Sequence, residues 1–367
     1  MLTLTFLTQT IEKYYYKRIY LKLHYKNTQM VKLKIIKNDI NKSASIDKII
    51  KWLHTDISKV NKTILEGMSS NIPLIPELAG YIITSGGKRI RPILTLACSR
   101  LCKYSGERHV NLAAGIEFIH TATLLHDDVV DESNQRRGKK SANLVWGNKS
   151  SILVGDFLLS KAFRLIIEDG SNQCLDILSK ASLEISQGEV LQLLTNNNVQ
   201  TTESKYLEVI NAKTAELFAA ACSLGGVVSE CGKEKIEALF DFGRYLGIAF
   251  QIIDDALDYD HKNKKFGKNI GDDFKEGKVS LPIILAYTRG NKKEKDFLIK
   301  VINKNQQDKT DLAKVLKIID NYDIIRDCVK KAKHFSTMAQ DSLGPFEESF
   351  EKNMLHELAT FASSRTY

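Results

Sequence analysis

The chain has 367 residues, a formal net charge of +9, and 43% hydrophobic against 26% charged residues, which excludes a disordered or fibrous protein. Its six cysteines form no Cys-x-x-Cys pair, so we expect thiols in a reducing compartment rather than a zinc site or a disulfide scaffold. The longest uncharged apolar stretch, around Leu217–Val228, is shorter than the roughly 20 residues of a membrane helix. We therefore predict no transmembrane segment.

The positive charge is concentrated at the start of the chain. Residues 1–42 hold nine Lys or Arg residues and two acids, Glu12 and Asp39, so seven of the net positive charges lie there. The nearly neutral remainder predicts no nucleic-acid partner. We interpret residues 1–42 as a basic extension, disordered or targeting, and residues 43–367 as one domain.

The nature of this extension is left open by its composition. It has no apolar core with a cleavage site, so a secretory signal is not expected. Scarce acids favour a mitochondrial presequence, but Arg18 is its only arginine, which argues against one. A translation start at Met30 is a further interpretation. We expect a cytoplasmic protein, with the mitochondrial matrix as the alternative if the extension is a presequence.

Helices are predicted for most of the remaining chain. The 189 residues between Pro92 and Pro282 contain no proline. Apolar residues recur at helical spacing in segments 111–131, 151–168, 174–194, 204–229 and 233–260. A Lys- and Gly-rich stretch, 260–280, is predicted to be an active-site loop. The pattern predicts an all-α fold, a single-domain bundle of long helices around a central cavity.

Two of the predicted helices end in the same acidic pattern, DDxxD. The two clusters are Asp127, Asp128 and Asp131, and Asp254, Asp255 and Asp258. Because each helical residue turns about 100°, Asp127 and Asp131 share one face, with His120 two turns earlier. Asp254 and Asp258 share a face in the same way, one turn after Gln251.

Stacked carboxylates repel one another, and burial makes their charges more costly. A hard divalent cation removes this conflict, and Mg²⁺ in particular keeps open positions that substrate phosphates fill. A single DDxxD is more often a solvated helix face. Two copies, each followed by a basic loop, predict that two acidic faces hold a diphosphate through Mg²⁺.

Basic residues accompany both acidic clusters. They lie in GGKRIRP at 86–92, RRGK at 136–139, Lys213-Thr214, and GKNIGDDFKEGK at 267–278. Arginine offers bidentate phosphate contacts and lysine a point charge. Taken singly, each has a simpler explanation: Lys213 could pair with Glu208 or Glu216, and His120 could be a core histidine. Their order along the chain is what indicates a site.

These motifs, in this order and spacing, resemble those of the trans-isoprenyl diphosphate synthases, most closely the long-chain polyprenyl type that makes octaprenyl diphosphate. The resemblance covers about residues 45–360. It implies the isoprenoid synthase fold, a Mg²⁺-dependent prenyltransferase, and successive condensation of isopentenyl diphosphate onto an allylic diphosphate, supplying a quinone (ubiquinone) side chain. It further implies a homodimer, with loose membrane-surface contact as an open question.

The resemblance also implies a role for each matched residue. Isopentenyl diphosphate would be bound by Lys88, Arg91, His120 and Arg137. The allylic diphosphate would contact Arg136, Lys213, Thr214, Gln251 and Lys268. Magnesium would be held by Asp127, Asp131 and Asp254, supported by Asp128, Asp255 and Asp258. Lys278 is a further candidate.

The product length depends on the residues one turn before the first DDxxD. In the resembling family, bulky aromatic residues there close the tunnel, whereas Ala122 and Thr123 are small, so we predict a long product. The alternatives are a geranylgeranyl or farnesyl diphosphate synthase and a class I terpene cyclase. An HD-type phosphohydrolase, suggested by His126-Asp127, and a non-catalytic partner subunit are less favoured by the motifs.

Overall fold

The computed structural model describes residues 44–261, 270–303 and 308–364. The predicted extension 1–42 and Lys268 lie outside the described residues. The first helices are α1 Ala44–Trp52, α2 His54–Gly67, α3 Leu74–Thr84, α4 Ile90–Leu101, α5 Arg108–Val130, α6 Ala142–Trp146 and α7 Asn148–Asp169. A hairpin between α5 and α6 pairs β1 Gln135–Arg136 with β2 Lys139–Lys140 in antiparallel register.

The later helices begin with a long helix and a short π-helical turn. They are α8 Asn172–Thr195, α9 Glu203–Ile210, the π-turn Asn211–Ala215, α10 Glu216–Val228, α11 Lys233–Asp258, α12 Asp272–Lys275, α13 Leu281–Arg289, α14 Lys292–Ile302, α15 Lys309–Asn321, α16 Ile324–Ser342 and α17 Phe350–Ser364. The two short strands are the only ones in the described part of the chain. The predicted all-α fold is confirmed.

Helix α5 lies at the centre of the bundle. It packs against α2, α4, α7 and α10, and its side chains are buried around most of its circumference. Helix α10 is buried at every position from Leu217 to Val228. A helix without a solvated face shows no amphipathic stripe, which is why this segment reads as a continuous apolar run. Both helices therefore belong to the interior.

Helix α11 connects two hydrophobic clusters. Its first half packs into the cluster around α5 and α10, and its second half packs with α13, α14, α15 and α16. The second acidic cluster lies at its C-terminal end, as the first lies at the end of α5. None of the helices in the described part has the length and apolar character that crossing a membrane requires. All six cysteines are free thiols.

Two glycines of α11 allow it to approach the π-turn and α10 very closely. A Cβ added at Gly243 would lie 2.4 Å from the carbonyl oxygen of Phe218, and one at Gly247 would lie 2.6 Å from Cα of Ala215. Both neighbours are backbone atoms, which cannot rotate away. Glycine at these two positions therefore sets the separation of the elements that carry Lys213 and Gln251.

We expect Gly247→Ala to lower the free energy of unfolding by about 1–3 kcal/mol, because the added methyl must push two packed backbones apart. Urea unfolding followed by circular dichroism measures this change. The matched control is Gly80→Ala in α3, where an added Cβ meets nothing within 4 Å. Equal stabilities of the two variants would contradict the close-packing argument.

Candidate active site

The first acidic cluster offers two carboxylates at the end of α5. Asp127 lies in its last turn, and Asp131 caps its C-terminus. Nζ of Lys278 lies 2.8 Å from Oδ2 of Asp131, and Nζ of Lys213 lies 3.7 Å from Oδ2 of Asp127. The two carboxylates thus both attract cations from elements remote in the sequence, as expected for a shared helix face.

Asp128 makes a different contact. Its side chain is buried, and its Oδ1 accepts a hydrogen bond of 2.7 Å from Nε of Arg136 in the hairpin. Burial raises the pKa of Asp128, and the guanidinium of Arg136 opposes that rise. The contact ties the hairpin to the end of α5. Asp128 therefore holds Arg136 beside the site, and a direct part for it in metal binding stays a prediction.

In the second acidic cluster, too, one aspartate accepts hydrogen bonds from another element. Oδ1 and Oδ2 of Asp258 accept hydrogen bonds of 3.3 and 3.1 Å from the backbone N–H groups of Asp272 and Asp273, at the start of α12. Burial, with Asp273 and Asp272 adding to it, raises the pKa of Asp258 to about 8. Asp254 is partly buried on the same helix. The helix α12 is thus anchored to the acidic cluster by one of its members.

A chain of hydrogen bonds connects Asp255 with the π-turn. The hydroxyl of Thr214 donates to Oε1 of Gln251 at 2.9 Å, and Nε2 of Gln251 donates to Oδ1 of Asp255 at 2.7 Å. The hydroxyl of Tyr206 donates to Oδ2 of Asp255 at 2.6 Å. Burial raises the pKa of Asp255 to about 8, with nearby Asp273 adding to it. Gln251 and Thr214, both predicted site residues, are thereby brought together.

Lys213 lies within the π-turn, where an ordinary helix is predicted. Its Nζ lies 2.6 Å from Oε2 of Glu189 in α8, so the suggested pairing with Glu208 or Glu216 is wrong. Glu208 pairs with Lys205 instead. The sequence contains no signal for Glu189, because its neighbour Lys213 is 24 positions away on another element. π-turns are rare and occur frequently at functional sites.

Three more charged residues lie among the predicted site residues, although the sequence patterns gave them no firm role. They are Glu189, Asp273 and Lys278. Burial, and secondarily Asp127, raises the pKa of Glu189 to about 7, although Lys213 opposes the rise. Burial lowers the pKa of Lys278, but Asp273, Asp131 and Glu276 outweigh it and hold that pKa above its ordinary value. Lys278 thus stays protonated beside Asp131 and Glu276, and Asp273 lies close to it.

The basic residues at 86–91 form a second group beside His120 and Arg137. A Cβ at Gly87 would lie 2.9 Å from Nη1 of Arg137, so glycine lets this guanidinium rest on the turn. Nζ of Lys88 lies 4.4 Å from the ring centroid of Phe361. Burial, and after it Arg91, Arg137 and other arginines, holds the pKa of His120 well below its ordinary value. The structure thus brings together Arg91, His120 and Arg137, three of the four residues predicted to bind isopentenyl diphosphate, and Lys88 lies in the turn just before α4.

Arg91 is the residue of this group most plainly arranged for an anion. Its guanidinium carbon lies 4.5 Å from the ring centroid of Phe218, and its buried Nε has no hydrogen-bond partner among the described residues. Burial and nearby Arg137 lower its pKa to about 10, while Glu117 opposes this. Buried donors without partners are costly, so a phosphate oxygen bound here would stabilise the site.

The carboxylates fit a hard cation whose coordination is completed by the substrate. No three His, Cys, Asp or Glu side chains of residues 44–261, 270–303 and 308–364 form a preformed metal cage. Mg²⁺ is usually held by one or two carboxylates together with substrate phosphates. Asp127 and Asp131 on one helix, and Asp254 on another, provide oxygen donors of that kind.

His126 faces away from this arrangement. Its Nε2 lies 3.3 Å from Oδ1 of Asp156 in α7, and a Cβ at Gly155 would lie 2.4 Å from that same nitrogen. The histidine therefore packs between α5 and α7. This placement gives no support to the HD-type phosphohydrolase interpretation.

The described residues thus form an all-α bundle in which two helices end in aspartate clusters and two groups of basic residues lie nearby. The family model described as Polyprenyl synthetase matches residues 72–319, and the chain belongs to this family. It is 47% identical over 254 residues to an octaprenyl diphosphate synthase of Escherichia coli (strain K12), covering 69% of this chain and 79% of that protein. Membership favours a trans-prenyl diphosphate synthase over the cyclase and phosphohydrolase interpretations.

Solved structures show the same fold. A decaprenyl diphosphate synthase from Rhodobacter capsulatus superposes with a TM-score of 0.84 at 45% identity, covering 88% of this chain and 99% of that one. A polyprenyl synthase from Caulobacter crescentus CB15, complexed with calcium and isoprenyl diphosphate, superposes with a TM-score of 0.85 at 43% identity, covering 89% and 100%.

Proposed function

We propose that this chain is a long-chain trans-polyprenyl diphosphate synthase. It condenses isopentenyl diphosphate successively onto an allylic diphosphate in a Mg²⁺-dependent reaction, and its product becomes a quinone side chain such as that of ubiquinone. The observation that carries the proposal is the pair of acidic helix ends, the first of which contacts Lys213 and Lys278, together with a separate cationic group around Arg91. Two anionic substrates need two such groups.

In the proposed reaction Lys213, Thr214 and Gln251 bind the allylic diphosphate, with Lys278 beside it. Bound through Asp127, Asp131 and Asp254, Mg²⁺ supplies positive charge that stabilises the departing diphosphate. The ammonium groups of Lys213 and Lys278 add to this stabilisation, because they lie where negative charge accumulates. Arg136, fixed by Asp128, completes the cationic side of this subsite. Lys268, which lies outside the described residues, stays a predicted contact.

The second substrate is oriented by the other cationic group. Arg91, Lys88, His120 and Arg137 hold its diphosphate so that the double bond faces the allylic carbon. The C–O bond of the allylic substrate breaks, the double bond of isopentenyl diphosphate forms the new C–C bond, and a C2 proton leaves to the released diphosphate. The allylic carbocation formed when the C–O bond breaks is enclosed away from water, which suppresses its hydrolysis.

The proposed product is long because the residues before Asp127 are small. Ala122 is buried, and Thr123, one turn before Asp127, is partly buried. Similarity to synthases of octaprenyl and decaprenyl diphosphate supports a long product. A shorter geranylgeranyl or farnesyl product is the alternative.

The test is an assay of the purified chain alone with Mg²⁺, farnesyl diphosphate and isotopically labelled isopentenyl diphosphate, with the product sized by mass spectrometry. A linear diphosphate of quinone side-chain length is expected. Arrest at fifteen or twenty carbons would contradict the chain length, and a cyclic hydrocarbon would favour a terpene cyclase. Inactivity of the chain alone would favour a partner-subunit role.

We further propose a homodimer formed through α7 and α8. These helices expose large apolar side chains to solvent, namely Ile152, Leu153, Leu183, Val190, Leu193 and Leu194. Extended apolar patches of this kind mark protein interfaces. Light scattering coupled to size-exclusion chromatography measures the mass.

A cytoplasmic location is also proposed, and the six free thiols support a reducing compartment.

We expect Arg91→Met to raise the KM for isopentenyl diphosphate by about tenfold or more, the equivalent of one lost charged hydrogen bond. The KM for the allylic substrate should change little, because Arg91 lies outside that subsite. Steady-state kinetics with each substrate varied in turn measures both. Arg164→Met, an exposed arginine of α7, is the matched control. Equal shifts in both KM values would contradict the separation of the subsites.

A further inference from the structure

The π-turn that carries Lys213 is seated against a single glycine of α8. A Cβ added at Gly188 would lie 2.7 Å from the backbone nitrogen of Lys213 and 2.9 Å from Cβ of Ala212. Because a π-turn is wider than an α-helical turn, its backbone projects further toward its neighbour. Gly188 removes the side chain that would otherwise keep the two backbones apart.

The next residue of α8 contacts the side chain of the same lysine. Oε2 of Glu189 lies 2.6 Å from Nζ of Lys213, whereas Oδ2 of Asp127 lies 3.7 Å from that atom. Both members of the Glu189–Lys213 pair are largely buried, with side chains 27% and 21% exposed. Glu189 of α8 therefore fixes the ammonium group of Lys213 close to Asp127 at the end of α5.

The other side of the π-turn has an equivalent arrangement on α11. Gly247 allows close approach to Ala215, and Gln251, one helical turn later, binds the hydroxyl of Thr214. Each of the two neighbouring residues, Lys213 and Thr214, is thus oriented by a different helix. On α8 and on α11 alike, a glycine allows the backbone of the π-turn to approach closely. A nearby polar side chain of the same helix then hydrogen-bonds to a side chain of the π-turn.

We propose that Gly188 and Glu189 are positioning residues for Lys213: the glycine sets the depth of the π-turn and the carboxylate aims the ammonium group at the allylic diphosphate. The proposal rests on the proposed function of Lys213. In this proposal the carboxylate of Glu189 acts through the lysine that it contacts. Without it, the flexible lysine chain samples several rotamers, and the cation is no longer held where the leaving group needs it.

The first experiment compares Glu189→Ala and Glu189→Gln with wild type in steady-state kinetics, with each substrate varied in turn. We expect kcat/KM for the allylic diphosphate to fall about tenfold or more in Glu189→Ala, while the KM for isopentenyl diphosphate stays within about twofold. Glu189→Gln keeps an acceptor oxygen and should lose less. Glu184→Gln, an exposed glutamate of the same helix, is the matched control.

A purely structural role would change the melting temperature and both substrates together, so equal effects on both would overturn the proposal. Tighter binding of the allylic substrate in Glu189→Ala would also overturn it, because it would mean that Glu189 competes with the diphosphate for Lys213. Unchanged kinetics in an active enzyme refutes this inference alone. An inactive wild type refutes the proposed function instead.

The second experiment tests the glycine. Gly188→Ala should reduce kcat/KM for the allylic diphosphate about tenfold, because the π-turn and its lysine must move away from α8. Gly115→Ala in α5 is the matched control, since its added Cβ would meet only ordinary contacts at 3.7 Å or more. A Gly188→Ala enzyme with the kinetics of the control would overturn the role of the glycine.

Discussion

Alanine at Asp127 or at Asp254 is expected to abolish prenyl transfer, lowering kcat by about 1,000-fold or more. Each carboxylate is expected to bind the Mg²⁺ whose positive charge stabilises the departing diphosphate. Losing one strong electrostatic contact at the transition state costs about 100- to 1,000-fold, and losing a bound cation costs more. Release of diphosphate and incorporation of labelled isopentenyl diphosphate measure the loss.

The control for this prediction is Asp176→Ala. Asp176 is an exposed aspartate of α8 that pairs with Lys180 on its own helix. Circular dichroism and melting temperature should show that all three variants are folded. If Asp127→Ala or Asp254→Ala turned over like the control, the assignment of these carboxylates to the metal would be wrong.

A phenylalanine at Thr123 is expected to shorten the product to about twenty carbons or fewer. Thr123 lies one helical turn before Asp127 on the same side of α5, and its side chain is partly accessible. A ring there would stop a growing apolar chain that runs from the acidic cluster along the helix. Mass spectrometry of the products formed from farnesyl and isopentenyl diphosphates measures the change.

The matched control is Thr123→Val, which removes the hydroxyl without adding length. The hydroxyl donates to the backbone oxygen of His120 within the same helix, so its loss should leave the product unchanged. Ala122→Phe is expected to shorten the product as well, but Ala122 is only 1% exposed, so this variant also tests how far the core can yield. Full-length product from both phenylalanine variants would mean that the floor of the tunnel lies elsewhere.

Local periodicity was sufficient to predict the helices and their acidic ends. The apolar segments 111–131 and 233–260 correspond closely to Arg108–Val130 and Lys233–Asp258. A helical repeat is a property of neighbouring residues, so the sequence alone contains it. The same holds for the shared face of Asp127 and Asp131, which follows from their spacing of four.

Contacts between elements could not be predicted in this way. Nothing in the pattern DDxxD distinguishes Asp128, which binds Arg136, from Asp127, which borders Lys213. The partner of Lys213 depends on how α8 packs against the π-turn, and the partners of Asp255 depend on α9. These are properties of packing between segments, which no single segment encodes.

The π-turn also affects how one continuous helical segment combines ligand binding with core packing. One extra residue within a turn shifts the angular phase of everything that follows by about 100°. Deleting one residue from Asn211–Ala215 would restore a regular helix, but it would also rotate Lys213 and Thr214 relative to the buried side chains of Leu217–Val228. The extra residue thus sets the angle between the Lys213–Thr214 pair, which is proposed to bind an anion, and the close-packed side chains that follow it.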